Sequence, residues 1–251
     1  MKVFFIAVAF LCCSTAFAQN FTYYAAIRSG LNMREQPNAN AKVLEKIPYG
    51  AKLTALADTS KGISINTEGF DGWWWKVQYN NKTGYIVNTY VLPVAPPKAT
   101  VHTWKAYMAQ VSAPAGSVIT IKRNDEAAEG VGSTLKKQMY KNGMEWHETN
   151  GYEYGSEVAI IPDITVEQAF IILRLLNQYP NMLSEKDPMP TKNATIKKES
   201  GDKTYKIEKD MWTEKVGVMK RVVITSTEGA VTELEIYLLN EQVVINYSSG
   251  V

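Results

Sequence analysis

Both cysteines of the 251-residue chain, Cys12 and Cys13, fall within its first twenty residues, and none follows. Disulfides, thiolate nucleophiles and cysteine ligands to a metal are therefore excluded beyond that point, and cysteine peptidase chemistry with them. Histidine is nearly as scarce, with His102 and His147 alone, and neither sits in a spacing such as H-E-x-x-H. No G-x-S-x-G elbow is present, and no glycine-rich loop that would cradle phosphate. Charge of one sign is also lacking: 27 basic residues stand against 25 acidic ones, which leaves no basic stripe for nucleic acid. No catalytic residue, metal ligand or cofactor is expected from these patterns. Acid pairs for glycoside hydrolysis stay open, because their spacing is spatial. Glu145, Glu148, Glu153 and Glu157 nonetheless look like solvated strand and loop positions.

The chain opens "MKVFFIAVAFLCCSTAFAQN", with Lys2, an apolar run and the small-x-small ending Ala16-Phe17-Ala18. This is the pattern of a secretory signal peptide over residues 1–18, cleaved after Ala18. The run is short for a membrane anchor and meets polar sequence at once, so no stable membrane insertion is expected after cleavage. The residues before Cys12 are Ala9, Phe10 and Leu11, not the Leu-small-small pattern of a lipoprotein site. The expectation is a periplasmic or secreted protein.

The remaining 230 or so residues suffice for one or two domains, and they divide into two textures. Residues 19–92 read as short strands broken by Gly, Pro and Asn at roughly ten-residue intervals, the rhythm of a small all-β barrel or sandwich. "PVAPPKAT", residues 93–100, carries Pro93, Pro96 and Pro97, which stiffen it into a linker or an ordered seam. Residues 101–251 contain one confident helix, where Thr165 and Gln168 form a capping-box pattern before an apolar run that ends near Tyr179. Val166, Ala169, Phe170, Leu173 and Leu176 share one face, and Ile171, Ile172 and Leu175 widen it. Strands are expected over 117–123, on both sides of Asn142-Gly143, over 156–163, and in a meander turning at Ser200-Gly201-Asp202, Glu228-Gly229-Ala230 and Asn240-Glu241. The fold class expected is an all-β barrel followed by an α+β domain in which one long helix packs on an antiparallel sheet.

In the first segment, "LNMREQPNANAKVLEKIPYGAKLTAL" and "GWWWKVQYNNKTGYIVNTYV" place Leu31, Asn32, Arg34, Pro37, Val43, Gly50, Trp74, Lys76, Val77, Gly84, Tyr85, Tyr90 and Val91 in an ordered series. That series resembles the bacterial SH3 (SH3b) family, and the stretch from about residue 25 to 92 is identified with it. Met33 stands where Val is usual, and residues 57–72 replace a much shorter loop that here lies over the aromatic face or extends it. No family is recognised for residues 101–251. The resemblance implies an SH3-like barrel and recognition of peptidoglycan or cell-wall peptide as the usual role. It also puts Trp74 and Tyr90 at ligand-facing positions. Val87 replaces the proline of the related SH3 motif, so proline-rich peptides are not implied.

Strand alternation sets Trp73, Trp75, Val77 and Tyr79 on one face and Trp74, Lys76 and Gln78 on the other. The first set reads as core or domain contact, and Trp74, in polar company, as the exposed ring. Trp74 and Tyr90 are thus the candidate ligand-binding pair, against the alternative that all three tryptophans are structural. The reading favoured is an exported, non-catalytic cell-envelope protein whose SH3-like domain binds cell-wall material or an envelope protein. Two alternatives stand beside it: a cell-wall hydrolase with its site in the second domain, and an interaction or inhibitor protein with a purely structural barrel.

Overall fold

The computed structural model describes residues 21–56, 63–123, 132–211 and 217–250. The expected signal peptide and residues 57–62 of the long loop lie outside them. The first segment holds β1 (Phe21–Ala25), β2 (Leu31–Arg34), β3 (Val43–Ile47), β4 (Lys52–Ala55), β5 (Ser64–Thr67), β6 (Phe70–Tyr79), β7 (Lys82–Val87) and β8 (Val91–Leu92). They hydrogen-bond in the order β3-β2-β7-β6-β4-β1-β8, with β5 added to β6. Asn80 and Asn81 both take positive φ (46° and 59°), so the β6–β7 hairpin turns with the twist its strands require. A single 3₁₀ turn, Asn88–Tyr90, leads into β8. Ala25, Leu31, Met33, Ile47, Leu53, Val77, Ile86 and Val91 form the barrel's own small core.

Beyond the seam come α1 (Trp104–Val111), β9 (Ile119–Arg123), β10 (Ser133–Met139), β11 (Glu145–Asn150), β12 (Tyr154–Pro162), α2 (Val166–Leu176), β13 (Ala194–Ile196), β14 (Lys203–Met211), β15 (Gly217–Ser226), β16 (Val231–Leu239) and β17 (Gln242–Gly250). The nine strands form one antiparallel sheet in the order β13-β14-β15-β16-β17-β12-β11-β10-β9. The last strand thus enters the middle, between the meander and the β9–β12 group. Residues of alternating parity, among them Ala159, Ile161, Val222, Ile224, Leu234, Ile236, Val243 and Ile245, present one apolar face, and α2 is buried in the same core.

The capping box of α2 is formed in both directions: Gln168 N donates to Thr165 Oγ1 (3.2 Å) and Thr165 N to Gln168 Oε1 (3.0 Å). The helix is not long, however. It spans 11 residues and stops at Leu176, because Asn177 adopts the left-handed conformation (φ 52°, ψ 36°) that ends a helix. Gln178 and Tyr179, expected inside it, instead turn toward Glu157 on the sheet. A second short helix, α1, was not foreseen. Thr103 caps it by accepting from Ala106 N, but eight residues give too little periodicity to stand out.

The two segments share one apolar core. Ala26, Phe70, Tyr90 and Leu92 of the barrel are buried together with Trp104, Tyr107 and Phe170 of the second segment. Phe70 lies edge-on to both Tyr90 (6.0 Å) and Phe170 (5.9 Å). The proline-rich stretch is hydrogen-bonded from both sides, since Tyr49 Oη donates to Pro97 O (2.6 Å) and Tyr107 Oη to Ala95 O (3.0 Å). Gln110 Nε2 adds a bond to Pro96 O (3.0 Å).

Candidate functional site

Residues 63–72 fold back as the β5–β6 hairpin, which turns at Glu68 and Gly69 (φ 51° and 83°). The tip docks on the second segment. Met189 N donates to Glu68 O (2.8 Å), and a Cβ added to Gly69 would lie 2.1 Å from Met189 O, so no other residue fits there without moving backbone. The Glu68 carboxylate accepts from Tyr90 Oη (2.7 Å) and from both terminal nitrogens of Arg174 on α2 (3.1 and 3.0 Å). Arg174 is itself buried, and its Nε donates to Glu185 O (2.7 Å). Burial raises the Glu68 pKa, but the bonds from Tyr90 and Arg174 outweigh it and hold the carboxyl below its ordinary value. Burial and the same carboxylate push the Tyr90 hydroxyl well above a usual tyrosine.

This clamp accounts for Tyr90, expected to face a ligand from an open surface. The residue is 7% exposed and its hydroxyl is spent on Glu68. Its ring borders a cleft of about 480 Å³ along the seam, with Arg28, Glu68, Arg174 and Glu185. Trp74 is likewise not the exposed ring, at 6% exposure. The ten-residue β6 serves two surroundings. In its first half Phe70, Gly72 and Trp74 are the buried positions, while in its second half Val77 is buried and Trp75 and Tyr79 pack against the barrel core. The polar neighbours Lys76 and Gln78 belong to the second half and do not report on Trp74.

The open aromatic surface lies on the alternate positions. Trp73 and Trp75 are half-buried and line a cleft of about 460 Å³ where the barrel meets the start of α2, together with Tyr23, Thr89, Asp163 and Glu167. Trp75 stands edge-on to Tyr23 (4.9 Å, 64°). Trp73 is fixed through its backbone, whose N–H donates to Asn88 Oδ1 (2.7 Å). Thr89 also borders the cleft, but its Oγ1 is shielded from it, packed against Gly72, where an added Cβ would lie 2.3 Å away. Asp71, Asp163 and Glu167 give the cleft an acidic rim. Asp71 is drawn on by Lys209 (3.6 Å) and Glu167 by Met219 N (3.3 Å).

A second cleft, about 530 Å³, opens between α1, the end of α2 and strands β10, β11, β12 and β17. Glu157, read from sequence as solvated, lies at its centre and accepts from Trp146 Nε1 (2.6 Å), Gln178 Nε2 and Tyr179 Oη. Glu148 stands directly opposite it on β11 and is held by Lys136 (2.8 Å). Sequence could not find this pair, because the register between β11 and β12 brings the two acids together. His147 points to the other sheet face and pairs with Glu145 (3.0 Å), while His102 Nδ1 lies 3.4 Å from Leu176 O. Among the described residues no group of three or more His, Cys, Asp or Glu side chains could hold a metal ion. No described helix is long and apolar enough to cross a membrane.

The clamp gives a testable pH dependence. A carboxylate whose folded pKa is depressed adds stability that is complete above the unfolded pKa and is lost as pH falls through the folded one. Glu68→Gln should therefore melt below the parent protein near neutral pH, and the gap should close below the ordinary glutamate range. Glu68 is half exposed, so the gap is small. A gap that is constant from neutral to acid pH would show that the charge contributes nothing.

No curated protein and no solved structure matches the chain. A family model does: residues 29–91, which run from the turn before β2 to the start of β8, match the bacterial SH3 domain.

Proposed function

We propose that this is an exported, non-catalytic protein of the cell envelope, and that the cleft lined by Tyr23, Trp73 and Trp75 is its binding site. The bacterial SH3 domain supports an envelope or cell-wall role. The observation that carries the site is the coincidence of two indoles and an acidic rim in one cleft. Aromatic faces with nearby carboxylates attract ammonium groups, so the occupant is a cell-wall peptide that carries a free amine. The non-catalytic reading is supported by Glu157, both of whose oxygens accept hydrogen bonds from Trp146, Gln178 or Tyr179, and by Glu148, whose Oε2 is held by Lys136. A general acid must instead present a proton to its substrate.

Two measurements test this reading. The protein recovered from its native host should have the mass of a chain that begins at Gln19; a chain retaining residues 1–18 would count against export. Purified peptidoglycan should carry the protein into the pellet, and blocking its free amines by acetylation should release it. Pelleting that is indifferent to acetylation, or absent altogether, argues against the amine-bearing peptide.

A further inference from the structure

We infer that the cleft built around Glu157 is a second ligand site, and that it takes a neutral, hydroxyl-rich molecule of the saccharide class. Its construction is independent of the Trp73–Trp75 cleft, since every residue that lines it belongs to the second segment. Glu157 is locked by three donors from three directions, one on Oε1 and two on Oε2. A carboxylate has about four acceptor positions, so one lone pair on Oε1 stays free. Tyr179 and Tyr247 are stacked flat against each other (4.1 Å, 9°) and form a rigid aromatic wall. Lys105 reaches from α1 over the Trp146 ring, 4.4 Å from its centre.

Charge decides the class of ligand. The lining has two lysines and two glutamates. Lys136 and Glu148 neutralise each other, while Lys105 lies over the ring of Trp146, whose indole N–H donates to Glu157. The lining as a whole thus carries no net charge that would draw an anion or a cation. What the cleft does offer is mixed: the free Glu157 acceptor, the Lys105 ammonium, and the Asn150 amide and Ser249 hydroxyl at the rim. Hydroxyl groups both donate and accept, and a sugar ring adds an apolar face for the tyrosines. Orientation by a few fixed polar groups against an aromatic surface is how small-molecule sites discriminate.

The test is an amide NMR titration of the purified protein with the trisaccharide of N-acetylglucosamine, with maltotriose and, separately, with inorganic phosphate. At least one trisaccharide is expected to shift resonances of β11, β12, β17 and Gln178. Lys105→Ala, an exposed change on α1, should weaken that binding about tenfold, the factor for one lost charge-assisted hydrogen bond. Glu157→Gln should weaken it at least as much. Ser249→Trp, which fills the mouth of the cleft, should abolish binding in a chain that remains folded and so separates lost contacts from lost fold. Shifts produced by phosphate but by neither sugar would overturn the proposal, as would sugar shifts confined to Trp73 and Trp75, or full binding by Ser249→Trp.

Discussion

Phe70→Ala should lower the melting of the whole protein in a single transition. Phe70 belongs to the β5–β6 hairpin of the barrel, is 1% exposed, and lies edge-on to both Tyr90 and the Phe170 ring of α2. Truncating a buried phenylalanine costs about 3 to 5 kcal/mol, which for a chain of this size lowers the melting temperature by about 6 to 20 °C. The cost falls on both segments because the core is continuous across the seam. The barrel's own core is eight small and medium residues, and small domains of that kind are marginal alone. Calorimetry decides the matter: two resolved transitions, of which only one moves in the variant, would show that the segments fold independently and that Phe70 serves the barrel alone.

How far the sequence could be read follows from the range of the interactions involved. The capping box at Thr165 and the left-handed hairpin residues are local, and each is formed as its residues dictate. Most of the residues that carry the bacterial SH3 resemblance likewise sit in strands, with Val77 and Gly84 opposite each other in the β6–β7 ladder, while Pro37, Gly50 and Tyr90 fall in the turns between them. What failed was whatever depended on a distant partner. The length of α2 is overstated by sequence because Tyr179 reads as a continuation of the apolar run across Asn177 and Gln178, whereas Gln178 and Tyr179 leave the helix to bond Glu157 on another strand. Arg174, a charged residue in an otherwise apolar helix, is buried on Glu68, 106 residues away, a partner that no local pattern shows. Gly69 gave no sign in the sequence that a backbone carbonyl would lie against it.

The same limit inverts the roles of the tryptophans, and the inversion gives the second large effect. Trp74→Ala should unfold or strongly destabilise the protein, whereas Trp73→Ala should leave it folded and remove its binding to peptidoglycan. Trp74 shares the buried positions of Phe70 and Gly72 in the first half of β6, at 6% exposure, and deleting a buried indole costs about 3 to 5 kcal/mol. Trp73 is half-buried, faces the open cleft, and is held mainly by its backbone bond to Asn88, which the alanine keeps. Its loss removes ligand surface more than core, and aromatic anchors of this kind carry a large share of a binding energy, about 2 kcal/mol or more each. That corresponds to at least a thirtyfold weaker association, roughly, at room temperature. Thermal melting and peptidoglycan pelleting, run on both variants, separate the two roles. A Trp74→Ala protein that melts like its parent, together with a Trp73→Ala protein that pellets like its parent, would return the ligand to the Trp74 face and leave the cleft with Tyr23 and Trp75 as packing alone.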